Sequence, residues 1–303
     1  MKAVVIGGSG FVGSHLADAL LEGGHQVRVF DRRPSPYLAK GQEMFLGDIL
    51  DGDQVREAVS GQDIVCNFAG IADLDEARVQ ALETVRQNVL GTVNLLEACR
   101  DASVRRYMHA STIYVYSNRG GFYRCSKQAA ELYVEEYQKH FGLDFTIVRF
   151  GTLYGRRADR RNSIYRYLRQ ALSERRVRCD GTGEELREYV SVRDAARLCV
   201  QALSEEFRNE HVIITGAYPL RFRQLLELLS EILGGDIEVE FTGKENEAHY
   251  RMTPYTFEPK IGHKLTSNKY VEMGQGLLEC LREIYEQIES ERAETLPSKD
   301  DSH

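Results

Sequence analysis

The chain begins with the apolar run Lys2-Ala3-Val4-Val5-Ile6. It passes directly into Gly7-Gly8-Ser9-Gly10-Phe11-Val12-Gly13 and then into a helical stretch from about Ser14. Few local patterns restrict a fold more tightly. Spaced glycines between strand and helix serve a tight turn and a backbone that must approach a bulky anion closely. The helix start then offers unpaired amides and a partial positive charge. The order strand, glycine turn, helix predicts a buried strand of a parallel sheet with its first crossover helix packed on one face.

The remainder of the chain extends this pattern. Short β-rich runs (QVRVFDRR, QEMFLGD, DIVCNFAG, RRYMHAS, DFTIVRFG, HVIITG) alternate with the helical stretches HLADALLEGG, ARVQALETVRQNVLGTVNLLEACRDA and SKQAAELYVEEYQKHFG. With the first strand these make seven. The expected fold is α/β, a Rossmann-type doubly wound parallel sheet with a smaller, interleaved C-terminal α/β substrate domain. The boundaries read as 1–156 for the first domain, with 193–216 returning to it. Residues 157–192 and 217–289 form the second domain, and 290–303 a polar tail with nothing to bury.

Composition narrows the partners. A formal net charge of -7, with arginines scattered along the chain, argues against a nucleic-acid partner. No apolar run reaches membrane-spanning length, and the N-terminus lacks the pattern of a signal peptide. The six cysteines are widely spaced and mostly apolar in context, which fits reduced thiols in a cytoplasmic setting. No metal is expected.

At the end of the second strand stands Asp31, where a carboxylate can accept hydrogen bonds from an adenosine ribose, so the bound anion reads as a dinucleotide. A 2′-phosphate would meet like charge there, which favours NAD over NADP. Arg32 and Arg33 follow, however, and either could offset that repulsion. Further along, Tyr123 and Lys127 open a helix one turn apart on one face. An ammonium and a nicotinium charge beside the phenol both favour phenolate, and the expectation is an acid/base brought towards neutrality from its ordinary value near about 10. The preceding strand ends at Ser111-Thr112, at the sheet edge where ligands of parallel sheets bind.

These segments together resemble the extended short-chain dehydrogenase/reductase family, whose members include nucleotide-sugar epimerases and dehydratases. LGDIL, NFAG, QNVLGTVNLLEA, RFGTLYG and LREYVSVRDAARL follow in the family's order, from residue 1 to about 215. The resemblance implies that Gly7, Gly10, Phe11 and Val12 wrap a pyrophosphate, that Asp31 and Arg32 meet the ribose, and that Asp48 and Ile49 meet the adenine. It also places Phe68, Ala69 and Gly70, with Asn88, Ala110 and Phe150, along the cofactor. Tyr123 would be the acid/base, Lys127 would hold the nicotinamide ribose, and Thr112 would bind the reacting hydroxyl. Thr152, Asn162 and Arg187 would face the substrate, Arg187 at a diphosphate.

Dehydratases and decarboxylases of the family carry an acidic residue just after the Ser/Thr, whereas Thr112 is followed by Ile113-Tyr114-Val115-Tyr116. The expected reaction is therefore NAD-dependent epimerisation of a nucleotide sugar, a 4-epimerase of a UDP-sugar passing through a 4-keto intermediate. An NADPH-dependent 4-ketoreductase, a dehydratase/decarboxylase and a non-catalytic dinucleotide sensor are the rivals. Three departures bear on the substrate: a short loop between Thr112 and Tyr123, Arg156 and Thr152 in place of the family's proline and asparagine, and an atypical segment 249–265. In that segment Tyr250, Arg251, Tyr255, Lys260, His263 and Lys264 read either as a pocket for an anionic sugar or as a solvated basic loop. Apolar stripes on the helices around residues 82–102 and 128–140 suggest a homodimer, or equally a face turned to the chain's own core.

Overall fold

The computed structural model describes residues 1–243, 249–250, 252–255 and 262–295. The chain opens β1 (Lys2–Ile6), α1 (Phe11–Glu22), β2 (Gln26–Asp31), β3 (Gln42–Leu46), α2 (Gly52–Val59) and β4 (Ile64–Asn67). The expected long helix after β4 is broken: α3 (Leu74–Val79) and α4 (Ala81–Val85) kink at Gln80, a π turn covers Arg86–Leu90, and α5 (Gly91–Asp101) completes it. Then follow β5 (Arg106–Thr112), a 3-10 turn Ile113–Tyr116, α6 (Gly121–Phe141) and β6 (Phe145–Phe150).

The second half contributes β7 (Thr152–Tyr154), α7 (Ser163–Glu174), β8 (Arg176–Cys179), β9 (Leu186–Arg187), β10 (Tyr189–Ser191) and α8 (Val192–Gln201). It continues with β11 (Glu210–Ile214), β12 (Leu220–Arg221), α9 (Phe222–Ile232), β13 (Glu238–Phe241), β14 (Gly262–Leu265) and α10 (Met273–Thr295).

The main sheet has the order β14-β11-β6-β5-β4-β1-β2-β3, with every pairing parallel. Such a sheet must be covered on both faces, and its apolar runs show this: β4 and β6 are buried throughout. On one face α1 and α8 pack Leu16, Leu20, Leu198 and Cys199 against Val5, Cys66 and Val212. On the other, Val55, Leu95, Leu96 and Val134 of α2, α5 and α6 cover Val4, Val65 and Ile147. The direction of chain progression reverses at β1, between β2 and β4, and the crevice of such a sheet opens there.

Seven strands were expected, and the main sheet has eight among the described residues. The eighth, β14, comes from the basic segment assigned to the substrate domain. Its backbone pairs with β11 from His211 to Ile214, satisfying an edge that would otherwise be bare. The tail also departs from expectation. α10 continues through Thr295 where a frayed end was expected from 290, because Arg169 of α7 holds Glu291 at 2.7 Å and Tyr165 donates to Gln287 at 3.0 Å. The second domain is built on α7, α9 and α10 around Leu168, Leu225, Leu229, Leu277 and Leu281.

One buried polar cluster joins four elements at the upper end of the sheet. Arg149 of β6 forms a two-pronged ion pair with Glu131 of α6 (3.0 and 2.6 Å) and donates to the Tyr116 hydroxyl at 2.6 Å. Ser111 of β5 donates to the same Glu131 carboxylate at 2.5 Å. Arg149 and Glu131 are 0% and 2% exposed, so neither charge has water as an alternative partner. Glu131→Gln keeps the shape but leaves a buried guanidinium uncompensated. It should lower unfolding free energy in urea by about 3–5 kcal/mol, and a loss below about 1 kcal/mol would show the pair to be dispensable.

Candidate functional site

At the carboxyl ends of β1, β4, β5 and β6 lies a cleft of about 470 Å³. Its floor is the glycine turn. Gly7 has φ 77°, and a Cβ there would come within 2.6 Å of the Ala69 amide nitrogen, so the loops after β1 and β4 meet backbone to backbone. The first helical hydrogen bond of α1 runs from Ser14 N to Gly10 O at 3.0 Å. The amides of Phe11, Val12 and Gly13 thus precede the helical ladder, and no side chain caps it. This is an anion cradle. At one end the Asp31 carboxylate is fixed by the amides of Ser9 (3.2 Å) and Arg33 (3.1 Å), and it lines the cleft with Arg32 and Arg33.

At the other end β5 delivers Ala110 and Thr112, and the first turns of α6 deliver Tyr123 and Lys127. Lys127 Nζ donates to the Ala110 carbonyl at 2.8 Å, and burial lowers its pKa to about 8, with Glu131 opposing. Burial pushes the Tyr123 phenol up to about 12, while a hydrogen bond with Thr112 draws it the other way. The expected shift towards neutrality draws on a nicotinium charge as well as the ammonium. With only the chain's own groups around it, desolvation of the phenolate dominates, and the Lys127 ammonium is turned to a carbonyl. The positive charge that a bound nicotinamide ring would bring is the remaining contribution.

Of the residues singled out in the sequence, Gly7, Gly10, Phe11, Val12, Asp31, Arg32, Ile49, Phe68, Ala69, Gly70, Ala110, Thr112, Tyr123, Lys127, Phe150, Thr152, Asn162 and Arg187 all line this cleft. Asp48 and Asn88 do not. Asp48 turns inward to hold Leu50 N at 2.9 Å and so presents its neighbours Gly47 and Ile49. Buried Asn88 bonds Ile71 N (2.8 Å), Ile71 O (2.9 Å) and Ser126 Oγ (2.9 Å), tying the loop after β4 to α6. Asn162 reaches the cleft, but its amide is occupied with Leu153 O and Tyr165 N at the start of α7.

Arg187 donates to Tyr250 O at 3.0 Å and lies 4.8 Å from that ring, with no carboxylate partner among the described residues. Lys264 is directed elsewhere, to Tyr255 (3.2 Å) and Glu188 (3.5 Å); His263 falls in β14, while Arg251 and Lys260 lie outside the described residues.

Sequence reading missed one pair. The Tyr114 hydroxyl meets His249 Nδ1 at 2.6 Å, and both line the cleft. Tyr114 lies edge-on to Tyr123, with ring centroids 6.4 Å apart. Burial, then Arg187, lowers the His249 pKa to about 4, so this imidazole is neutral at ordinary pH. No local pattern joins residues so far apart in the chain.

The chain matches the family model for the NAD dependent epimerase/dehydratase family over residues 3–215. It belongs to that family. Membership makes it an NAD-dependent enzyme of the extended short-chain dehydrogenase/reductase type. Among curated relatives, an uncharacterised UDP-glucose epimerase of Bacillus subtilis is 26% identical over 275 residues, covering 80% of this chain and 86% of that protein. A dTDP-glucose 4,6-dehydratase of Actinoplanes is also 26% identical, over 93% of this chain and 97% of its own. The UDP-glucose 4-epimerase of Thermotoga maritima, solved with UDP-glucose, superposes with a TM-score of 0.82 at 24% identity, covering 95% of this chain and all of that one. The UDP-glucuronic acid 4-epimerase of Bacillus cereus, solved with its substrate and NAD, gives the same TM-score, identity and coverage. Likeness at that identity shows the fold. No helix among the described residues is long and apolar enough to cross a membrane.

Two outcomes test this geometry. The Cβ of Gly10→Ala would have only Gly7 O within 4 Å, at 3.2 Å. The variant should still fold, with a small drop in melting temperature for the shift this contact requires, but bind NADH at least about 10-fold more weakly in fluorescence titration, since the added methyl occupies the anion's approach. Affinity equal to that of the parent would remove the cradle reading. The second concerns His15 of α1, 8% exposed, whose pKa burial pushes down to about 4 against a hydrogen bond to Arg156 O. An unfolded histidine titrates near about 6.5, so between these values the unfolded chain holds a proton that the folded chain lacks. Stability should therefore fall as pH drops through that window, by about 3 kcal/mol from this group, and urea unfolding of His15→Gln should show the slope reduced.

Proposed function

We propose that this enzyme is a nucleotide-sugar 4-epimerase, with a UDP-sugar as its substrate. The observation that carries the reading is the assembly of Thr112, Tyr123 and Lys127 at one end of the cleft that holds the glycine cradle, with no carboxylate in the turn that follows Thr112. Ile113 is 1% exposed and packs into the core, and Tyr114 turns its phenol to His249. Oxidation and re-reduction of a carbinol need only a proton carrier beside a hydride carrier, whereas elimination needs a further base. The B. subtilis relative and a UDP-glucuronate 4-epimerase of Thermodesulfobacterium geofontis, 24% identical over 266 residues, favour the same reading, while the dehydratase relatives make water loss the reaction to test against.

NAD, when bound, supplies the hydride acceptor and donor. Tyr123 takes the proton from the C4 hydroxyl as the carbonyl forms and gives it back after the sugar has turned its other face. Thr112 holds the same oxygen. Lys127, anchored on Ala110 O, has further N–H donors for the nicotinamide ribose, and its charge favours the phenolate. Asp31 receives the adenosine ribose, and Arg187, with no carboxylate to neutralise it among the described residues, faces the diphosphate. A homodimer completes the proposal. Val85, Leu90, Phe122, Leu132, Tyr133 and Phe141 are about half exposed along α4, the π turn and α6, and these apolar side chains support the pairing.

Incubation with UDP-, dTDP- and GDP-hexoses, followed by NMR of the products, tests the assignment. One C4 pair should interconvert with neither water loss nor net consumption of dinucleotide. Tyr123→Phe should lower that turnover by about 100-fold or more while NADH binding stays within about twofold. A dehydrated sugar, or a reduced sugar formed at the expense of NADPH, would replace the assignment.

A further inference from the structure

Between β7 and α7 the chain departs from its family's pattern at Arg156, and residues 156–166 form a segment fastened at both ends. At the near end Arg157 adopts φ 65°, a left-handed conformation that is uncommon for a side-chain-bearing residue. Four contacts hold it there. Its amide donates to both oxygens of Glu283 in α10 at 3.1 Å. Its guanidinium pairs with Asp18 of α1 at 2.8 Å and lies 4.6 Å from the Tyr37 ring centroid. The adjoining Arg156 carbonyl meets His15 of α1 at 3.0 Å. At the far end Arg166 reaches Asp73, in the loop after β4, at 3.6 Å.

The anchors belong to two elements that border the cleft. α1 begins at the glycine cradle, and Asp73 follows Phe68, Ala69 and Gly70 in the loop after β4, all of them lining the cleft. Between the anchors, Asp159 and Arg161 pair with each other and line the cleft opposite Arg33, whose charge Asp159 feels. The segment thus runs along the cleft from one anchor to the other, with Asp159, Arg161, Asn162, Ser163 and Arg166 in its lining.

We infer that residues 156–166 are a strap closed over the dinucleotide, and that Arg157 and Arg166 are positioning residues whose ion pairs with Asp18 and Asp73 keep the cofactor in place from one turnover to the next. The inference rests on the reading of the cleft as the dinucleotide site, and it deepens that reading. An enzyme that returns its hydride to the same sugar has no need to exchange cofactor, whereas a reductase must release it every cycle. Ion pairs suit such a fastening: these are half-buried, strong enough to bias the strap closed and weak enough to open.

The test is NADH binding and release by stopped-flow fluorescence, without any sugar, in the parent and in Asp18→Asn/Asp73→Asn. Both changes are isosteric, and asparagine preserves the helix cap that Asp73 supplies to Glu76 N. A loosened strap admits and releases ligand more easily. Association and dissociation rates should therefore rise together, by about 5- to 30-fold, with affinity little changed. Higher salt should accelerate release from the parent in the same sense. Lys139→Gln, which removes an exposed pair on α6, should leave both rates alone. Unchanged release in the double variant would overturn the strap, and so would faster release with slower association, which is the mark of a damaged site. Failure of the parent to bind NADH at all would instead remove the dinucleotide reading, and the strap with it.

Discussion

The ion pair between Arg149 and Glu131 is the fixed point around which the candidate site is assembled. Two opposite charges taken fully out of water are worth keeping only if their polar atoms find partners, and here Tyr116 takes the one guanidinium nitrogen that Glu131 does not, while Ser111 adds a donor to the carboxylate. The four residues belong to β5, the 3-10 turn, α6 and β6. Thr112 is the next residue after Ser111, and Lys127 stands one helical turn before Glu131. A shift of α6 along β5 would move Tyr123 away from Thr112, and it would also strand a buried charge. The cost of that charge therefore converts a helix packed by non-directional apolar contacts into one with a single register.

The site adds a second strain of the same kind. Lys127 and Tyr123 are both held where their charged forms are disfavoured, the lysine drawn down and the phenol pushed up, each chiefly by burial. Neither shift serves the folded chain by itself. A dinucleotide ribose within reach of the ammonium and a positive ring beside the phenol would satisfy both groups at once. The apolar wall that raises the phenol, Ile71 and Ala77 with Leu74 and Tyr114, also excludes water from the place where a proton must pass between two oxygens.

Much of this was legible in the sequence because the constraints are local. The glycine turn, the apolar strands and the Tyr-Lys spacing each depend on neighbours within one or two turns of chain, and the structure brings nearly all of those residues to one cleft. The motif residues that fell outside it are instructive. Asp48 and Asn88 belong to segments that shape the cleft, yet they act by holding backbone, and a sequence pattern cannot distinguish a residue that faces a ligand from one that aims its neighbour. Gly70 shows the coupling: a Cβ there would sit 2.3 Å from Asn88 Oδ1. What was not legible depends on distant partners. Tyr114 meets His249 across 135 positions, and β14 forms because β11 offers an unpaired edge, for which the basic composition of its segment gives no sign.

The route of the chain gives these distant contacts a common origin. After β6 the backbone leaves the sheet to begin the second domain, returns as α8 and β11 to close the first, leaves again, and returns once more as β14. Each crossing brings a connection to the cleft: part of 156–166 on the outward path, Arg187 on the first return, and His249 and Tyr250 before the last. Arg187 stacks on Tyr250, Thr152 lies 3.4 Å from the Tyr250 hydroxyl, and Tyr114 packs 4.8 Å from the Tyr250 ring. A ligand in the cleft thus touches segments whose positions are set by strands on either side of it. Two consecutive domains joined by one linker would leave the groove between them free to open, whereas repeated crossing makes the walls of the groove part of the sheet's own edge pairing. The edge pairing of β14 with β11 and the contacts of Tyr250 with Thr152, Tyr114 and Arg187 thus tie the last third of the chain to the cleft.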